Sequence, residues 1–214
     1  MTIKKLSIPQ VPLNTFKLAV LVSGRGSNLQ AIIDSIDREE LDAHLSIVIS
    51  NTKDAMALKR AEKHEIKTIF IDPSNYSSSK EYDKALVLKL KEFSIDLICL
   101  AGYMRILGEE VIQTFEKKII NIHPSPLPAF PGMNAQKQAI NHGVKFSGCT
   151  VHFVDSGVDS GPIILQTVVP VYDNDDEKSL SERILNEEHN LYPKAIKMIK
   201  ESKVNLKGRI VTSN

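Results

Sequence analysis

The chain has 214 residues, of which 42% are hydrophobic, the size and composition of one globular domain able to build a full core. Its 27 basic and 26 acidic residues are spread evenly, for a net charge of +1, and leave no stripe for a nucleic-acid backbone or an anionic bilayer. No run approaches the ~20 apolar residues of a membrane span, so neither nucleic acid nor membrane is expected as a partner.

Residues 1–16 are basic but broken by Pro9 and Pro12, without the continuous apolar stretch of a signal peptide. They read as an N-terminal extension, followed by a single domain over 17–204 and a C-terminal tail over 205–214, and the default compartment is cytoplasmic. From Lys17 onward, apolar β-branched runs recur as KLAVLVSG, LSIVISN, KTIFID, IDLICLAGY and KIINIH. Between them SNLQAIIDSI, DAMALKRAEKH and SKEYDKALVLKLKEF carry helical spacing. Strands without polar alternation, interleaved with helices, predict an α/β fold: a doubly wound, mostly parallel sheet with helices on both faces. The second half is β-rich, with GCTVHFVDSG and PIILQTVVPVY expected as a strand pair joined through DSGVDSGP. A final amphipathic segment, from about Asp176 to Lys200, is expected to kink or break at Pro193. Cys99 and Cys149 lie within apolar runs and read as buried small hydrophobes in a reducing compartment.

Two stretches carry chemistry. In VSGRGSNLQAII a strand passes through Gly24 and Gly26 into a helix, with Ser27 or Asn28 at the expected N-cap. Free N–H groups at that helix start would face an anion, so the stretch reads either as a phosphate cradle or as a plain connecting turn. It is no dinucleotide fingerprint, since the third glycine is missing, and no P-loop, since Gly-Lys-Ser is absent.

In IINIHPSPLP the strand places Asn121 and His123 on one face and Ile120 and Ile122 on the other, just before Pro124 stops it. A neutral amide donor beside an imidazole suits an oxyanion developing on a carbonyl carbon, and histidine also moves protons near neutrality. A carboxylate from Asp155 or Asp159 in the glycine-rich turn could hold the ring charged. His152 reads as packed or hydrogen-bonded, Ser125 lacks a nucleophile elbow, and no metal is assigned.

With SGRGSNLQAI, LAGYMRIL, NIHPSPLP and HFVDSGVDSGPIILQ in this order, the chain resembles the glycinamide ribonucleotide formyltransferases, folate-dependent enzymes of purine synthesis, over about Lys17 to Lys200. The resemblance implies a Rossmann-like formyltransferase fold and transfer of a formyl group from 10-formyltetrahydrofolate to the amine of glycinamide ribonucleotide. It implies Asn121 and His123 as the oxyanion pair, and it selects Asp159 to raise the His123 pKa. It further implies Gly26, Ser27 and Asn28 on the substrate phosphate, Glu188 on the ribose, and Met104, Arg105, Ile106 and Leu107 with Asn121 around the folate. The bland reading of Glu188 is a solvated charge on a helix face. The expected assembly is a monomer or weak homodimer.

Relatives commonly carry an Arg three residues before the Tyr-Asp pair, where this chain has Ser79 beside Lys80, and histidines where it has Asn134 and Gln136. Methionyl-tRNA formyltransferase and formyltetrahydrofolate deformylase use the same trio, but each adds a further domain to it. A phosphate-ligand binding module without catalysis is the alternative from another class.

Overall fold

The computed structural model describes residues 15–213, so nearly all of the expected N-terminal extension lies outside the described residues. The five apolar runs become β1 (Lys17–Val22), β2 (His44–Ser50), β3 (Thr68–Phe70), β4 (Leu97–Leu100) and β5 (Ile119–His123). They pair in parallel in the order β3-β2-β1-β4-β5. The β-rich half adds β6 (Phe146–Phe153), antiparallel to β5, and then β7 (Ile163–Pro170), antiparallel to β6. The helices are α1 (Ser27–Asp37), α2 (Met56–Lys63), α3 (Ser79–Glu92), α4 (Glu109–Thr114), α5 (Ala135–Asn141) and α6 (Glu177–Lys200).

Strand alternation decides which helices cover which face. Leu18, Val20 and Val22 of β1 join one core with Ile32 of α1 and Leu180 and Ile184 of α6. Ala19 and Leu21 point the other way, into a second core with Leu86 and Leu90 of α3 and Val111 of α4. Each fully buried Leu or Ile contributes about 1.5–3 kcal/mol, so a strand apolar on both sides is stable only between two helical layers.

Two expectations change. α6 runs unbroken through Pro193, which is buried in it. A capping box of Asp176 and Ser179 starts the helix, and a face including Leu180, Ile184, Tyr192 and Ile196 is buried along it. That packing outweighs the hydrogen bond the His189 carbonyl loses to proline. The stretch expected as a tail contains a hairpin, β8 (Val204–Lys207) and β9 (Ile210–Ser213), with Gly208 at φ +60 in its turn. Val204, Leu206 and Val211 pack on the first core, and β9 lies against β7.

The strand order switches direction between β1 and β4, which opens a crevice at the carboxyl ends of those strands. Ser23 ties its two sides together. The Ser23 N–H donates to the Gly102 carbonyl (3.1 Å), the Met104 N–H donates to Ser23 Oγ (2.8 Å), and that hydroxyl donates to Asn51 Oδ1 (2.5 Å).

Candidate active site

The glycine loop enters its helix more sharply than the sequence suggests. The N-cap is Gly26 rather than Ser27 or Asn28, and its φ is +72. A Cβ at this position would lie 2.5 Å from the Ala57 Cβ, so both the backbone conformation and the space require glycine. α2 causes that closeness: the Ala57 N–H donates to the Gly24 carbonyl (3.1 Å), and Arg60 Nε donates to the Arg25 carbonyl (2.9 Å). No side chain caps α1, which leaves the amides of its first turn to meet an anion.

At the start of α1, Asn28 Nδ2 donates to Glu188 Oε2 at 2.7 Å. Glu188 is only 6% exposed, so the solvated helix-face charge does not form. Burial pushes its carboxyl up to about 7, against the Asn28 hydrogen bond and the Arg25 charge, which pull it down. Asn28 Oδ1 is buried as well and has no hydrogen-bond partner among the described residues. The end of the glycine loop and the acid thus form one buried polar cluster, built by α1 and α6.

Asn121 and His123 share the face of β5 opposite Ile120 and Ile122, which lie in the first core. The register on β6 sets Asn121 opposite His152 and His123 opposite Thr150. β6 ends at Phe153, opposite Ile120 near the start of β5, so the following loop must double back to bring Asp159 to the pair. Asp159 Oδ2 lies 3.2 Å from His123 Nδ1 and accepts from the Gly132 N–H at 2.7 Å. Asp155 shapes the loop instead, its Oδ1 accepting from the Gly157 N–H (3.1 Å) and from Ser160 Oγ (2.6 Å).

His123 is 5% exposed, and both of its nitrogens are engaged. Nε2 faces the Phe130 carbonyl at 2.9 Å and must be the donor there, since a carbonyl only accepts. Burial lowers the His123 pKa; the Phe130 hydrogen bond and the Asp159 charge raise it, and the net value falls below that of an ordinary imidazole. The expected upward pull of Asp159 therefore exists but loses to desolvation. For Asp159 itself burial acts upward, yet the His152 contact, the Gly132 N–H and the His123 charge together hold its carboxyl below the usual range.

His152 belongs to this cluster, hydrogen-bonded as expected but at the site itself. Its Nδ1 donates to the Phe153 carbonyl (2.8 Å), and its Nε2 lies 3.3 Å from Asn121 Nδ2 and 3.7 Å from Asp159 Oδ1. Asn121 Nδ2 reaches Asp159 Oδ1 at 3.4 Å. Both Asn121 contacts are long, so the amide can turn its hydrogens to another acceptor at small cost. Tyr192, one turn beyond Glu188 on α6, places its hydroxyl 2.9 Å from the Leu100 carbonyl and 3.2 Å from that of Ile120. The same helix thereby supports both the polar cluster and the strand that carries Asn121.

The loop after β4 lies across the crevice. Met104 and Ile106 are 73% and 77% exposed, whereas Leu107 is buried in the second core and Arg105 stacks on the Tyr82 ring at 4.3 Å. Ser79 begins α3, and Asn134, at φ 57, is the N-cap of α5. The loop from 124 to 136, which includes a cis Leu127–Pro128 bond, is tied to β6 and β7 through Thr150 Oγ1 and Gln166 Nε2. Among the described residues, no three His, Cys, Asp or Glu side chains are grouped to hold a metal, and no helix is long and apolar enough to cross a membrane.

Residues 16–196 match the formyl transferase family. Phosphoribosylglycinamide formyltransferase of Bacillus subtilis is 40% identical over 183 residues, covering 86% of this chain and 94% of that protein. The human trifunctional purine biosynthetic protein adenosine-3 is 47% identical over 190 residues, but the match spans only 19% of its length. Glycinamide ribonucleotide transformylase 1 of Symbiobacterium toebii superposes with a TM-score of 0.92 at 46% identity, covering 94% of this chain and 95% of that one. A formyltetrahydrofolate deformylase of Pseudomonas syringae pv. tomato superposes at 0.87, with 26% identity over 94% of this chain and 66% of its own. A doubly wound sheet that brings Asn121, His123 and Asp159 together beside a glycine loop agrees with these matches, and the chain belongs to the formyl transferase family.

Proposed function

We infer that the protein transfers the formyl group of 10-formyltetrahydrofolate to the primary amine of glycinamide ribonucleotide. The observation that carries this reading is the pairing of two sites along one sheet: the Asn121, His123 and Asp159 cluster and the Gly26 to Asn28 loop with Glu188. The first suits attack on a formyl carbon, and the second suits a phosphorylated ribose. In this assignment the amides of Gly26, Ser27 and Asn28 meet the phosphate and Glu188 accepts from ribose hydroxyls. The exposed apolar side chains of Met104 and Ile106 flank a planar pterin, while backbone groups of residues 104–107, with Asn121, give its polar edge partners.

The reaction makes one C–N bond at the formyl carbon, breaks another, and moves a proton from the attacking amine to the folate nitrogen, through water. Asn121 Nδ2 is the direct donor to the developing oxyanion, since its present contacts are long. His123 joins it by exchanging the Phe130 carbonyl, one oxygen acceptor, for the oxyanion, with no change in which nitrogen carries hydrogen. Asp159, 3.2 Å from Nδ1, stabilises the ring whenever that nitrogen takes up a proton, and it orders the water.

The test is formyl transfer from 10-formyltetrahydrofolate followed by absorbance, with glycinamide ribonucleotide present and then omitted. Turnover that requires the amine is the expected result. Equal turnover without it would make water the acceptor and the protein a hydrolase.

A further inference from the structure

We propose that Arg209, in the C-terminal hairpin, is a positioning residue for Asp159: it braces the doubled-back loop that delivers the carboxylate to His123. This rests on the functional reading above. The loop from 154 to 162 is wound tightly. A Cβ at Gly157 would lie 2.1 Å from Ser160 Oγ, and one at Gly161 would lie 1.8 Å from the Phe153 carbonyl oxygen. Asp159 itself sits at φ 49, in the left-handed region. A residue other than glycine persists there when its surroundings over-determine it.

Three hydrogen bonds fix the turn on both sides of Asp159. Asp155 Oδ1 takes the Gly157 N–H and the Ser160 hydroxyl from within the loop. From outside it, Arg209 Nη2 donates to the Ser160 carbonyl at 2.7 Å, across 49 positions of sequence and one residue beyond Asp159. The hairpin is itself anchored, with Leu206 packed on the first core and sharing a cleft wall with Phe153 and Pro162 at the two ends of the loop. Arg209 thus transmits a fixed point from the core to the carboxylate that lies 3.2 Å from His123 Nδ1. Its guanidinium is exposed and contributes nothing to that core. Loss of the brace frees the loop and moves the carboxylate, and a misplacement of about 1 Å at a reacting site costs up to about 100-fold in rate.

The experiment compares wild type, Arg209→Met, Arg209→Lys, Asp159→Asn and the double variant Arg209→Met with Asp159→Asn, each in full-length protein. Arg209→Met should lower kcat about 10-fold or more, with KM for both substrates and the thermal midpoint unchanged. Arg209→Lys should recover most of that loss, because only one N–H of Arg209 is used. In the Asp159→Asn background, Arg209→Met should cost nothing further, since its effect passes through the carboxylate. An unchanged kcat in Arg209→Met would overturn the proposal. So would an equal further loss in the Asp159→Asn background, which would show that Arg209 acts elsewhere. A wild-type protein without transfer activity would overturn the functional reading and this proposal with it.

Discussion

Replacing Glu188 by Gln removes a carboxyl that the structure buries beside its glycine loop. In the unfolded chain this carboxyl ionises at its ordinary 4.5, and in the fold at about 7. A raised folded pKa means that the stability brought by the protonated form is complete below 4.5 and is lost as pH rises through 7. Ionising the carboxyl in the fold therefore costs about 3 kcal/mol of stability above pH 7. Glutamine keeps the shape, still accepts from Asn28 Nδ2, and adds an N–H donor beside the unpaired Asn28 Oδ1. Urea unfolding of both proteins at constant ionic strength gives the difference directly, with the other titrations cancelling. The variant's advantage should grow from under about 1 kcal/mol at pH 5 to about 3 kcal/mol at pH 8. A difference that stays flat with pH, or a variant less stable at pH 8, would refute the account of Glu188 as a carboxyl whose ionisation is opposed by burial. Glycinamide ribonucleotide should meanwhile bind the variant more weakly, the usual exchange of function for stability.

Asn121→Ala should lower kcat at least about 100-fold, or about 2.7 kcal/mol of transition-state stabilisation, with the thermal midpoint nearly unmoved. Steady-state kinetics beside calorimetry would separate that outcome from unfolding. Gly26→Ala forces a side chain into left-handed backbone and onto Ala57, which should cost about 1–3 kcal/mol or more in denaturant unfolding and raise KM for the phosphorylated substrate. Tyr192→Phe leaves the buried Leu100 and Ile120 carbonyls without its hydroxyl, a loss of about 1–3 kcal/mol that a thermal melt would register.

The layers were legible because β1 and β4 are apolar on both sides, which specifies a covered parallel sheet before any contact is known. Asn121 and His123 stood out for the opposite reason, as polar residues two apart where strand alternation places them on one face. His152 shares their face across the β5 and β6 pairing, but the register that sets it opposite Asn121 cannot be read from either strand alone. Asp155 and Asp159 were indistinguishable by spacing, since what separates them is a loop that doubles back, a fold of the backbone and not of the pattern. The N-cap was misplaced because Ser27 and Asn28 are the usual capping types, whereas contact with α2 demanded glycine there. Pro193 predicts a kink or a break because local propensity says nothing of the packing that holds α6 together.

The Asn28–Glu188 contact joins residues 160 positions apart, and this separation gives it a place in time as well as in space. Such a contact closes when α6 docks beside α1, and that docking is expected to follow the transition state for folding. The buried charge then weighs on the finished structure and not on the barrier to reaching it. Its relief in Glu188→Gln is therefore expected to slow unfolding at pH 8 while leaving the refolding rate nearly as it was. Substrate that binds this cluster would act on the same limb, lengthening the lifetime of the native state without hastening its formation.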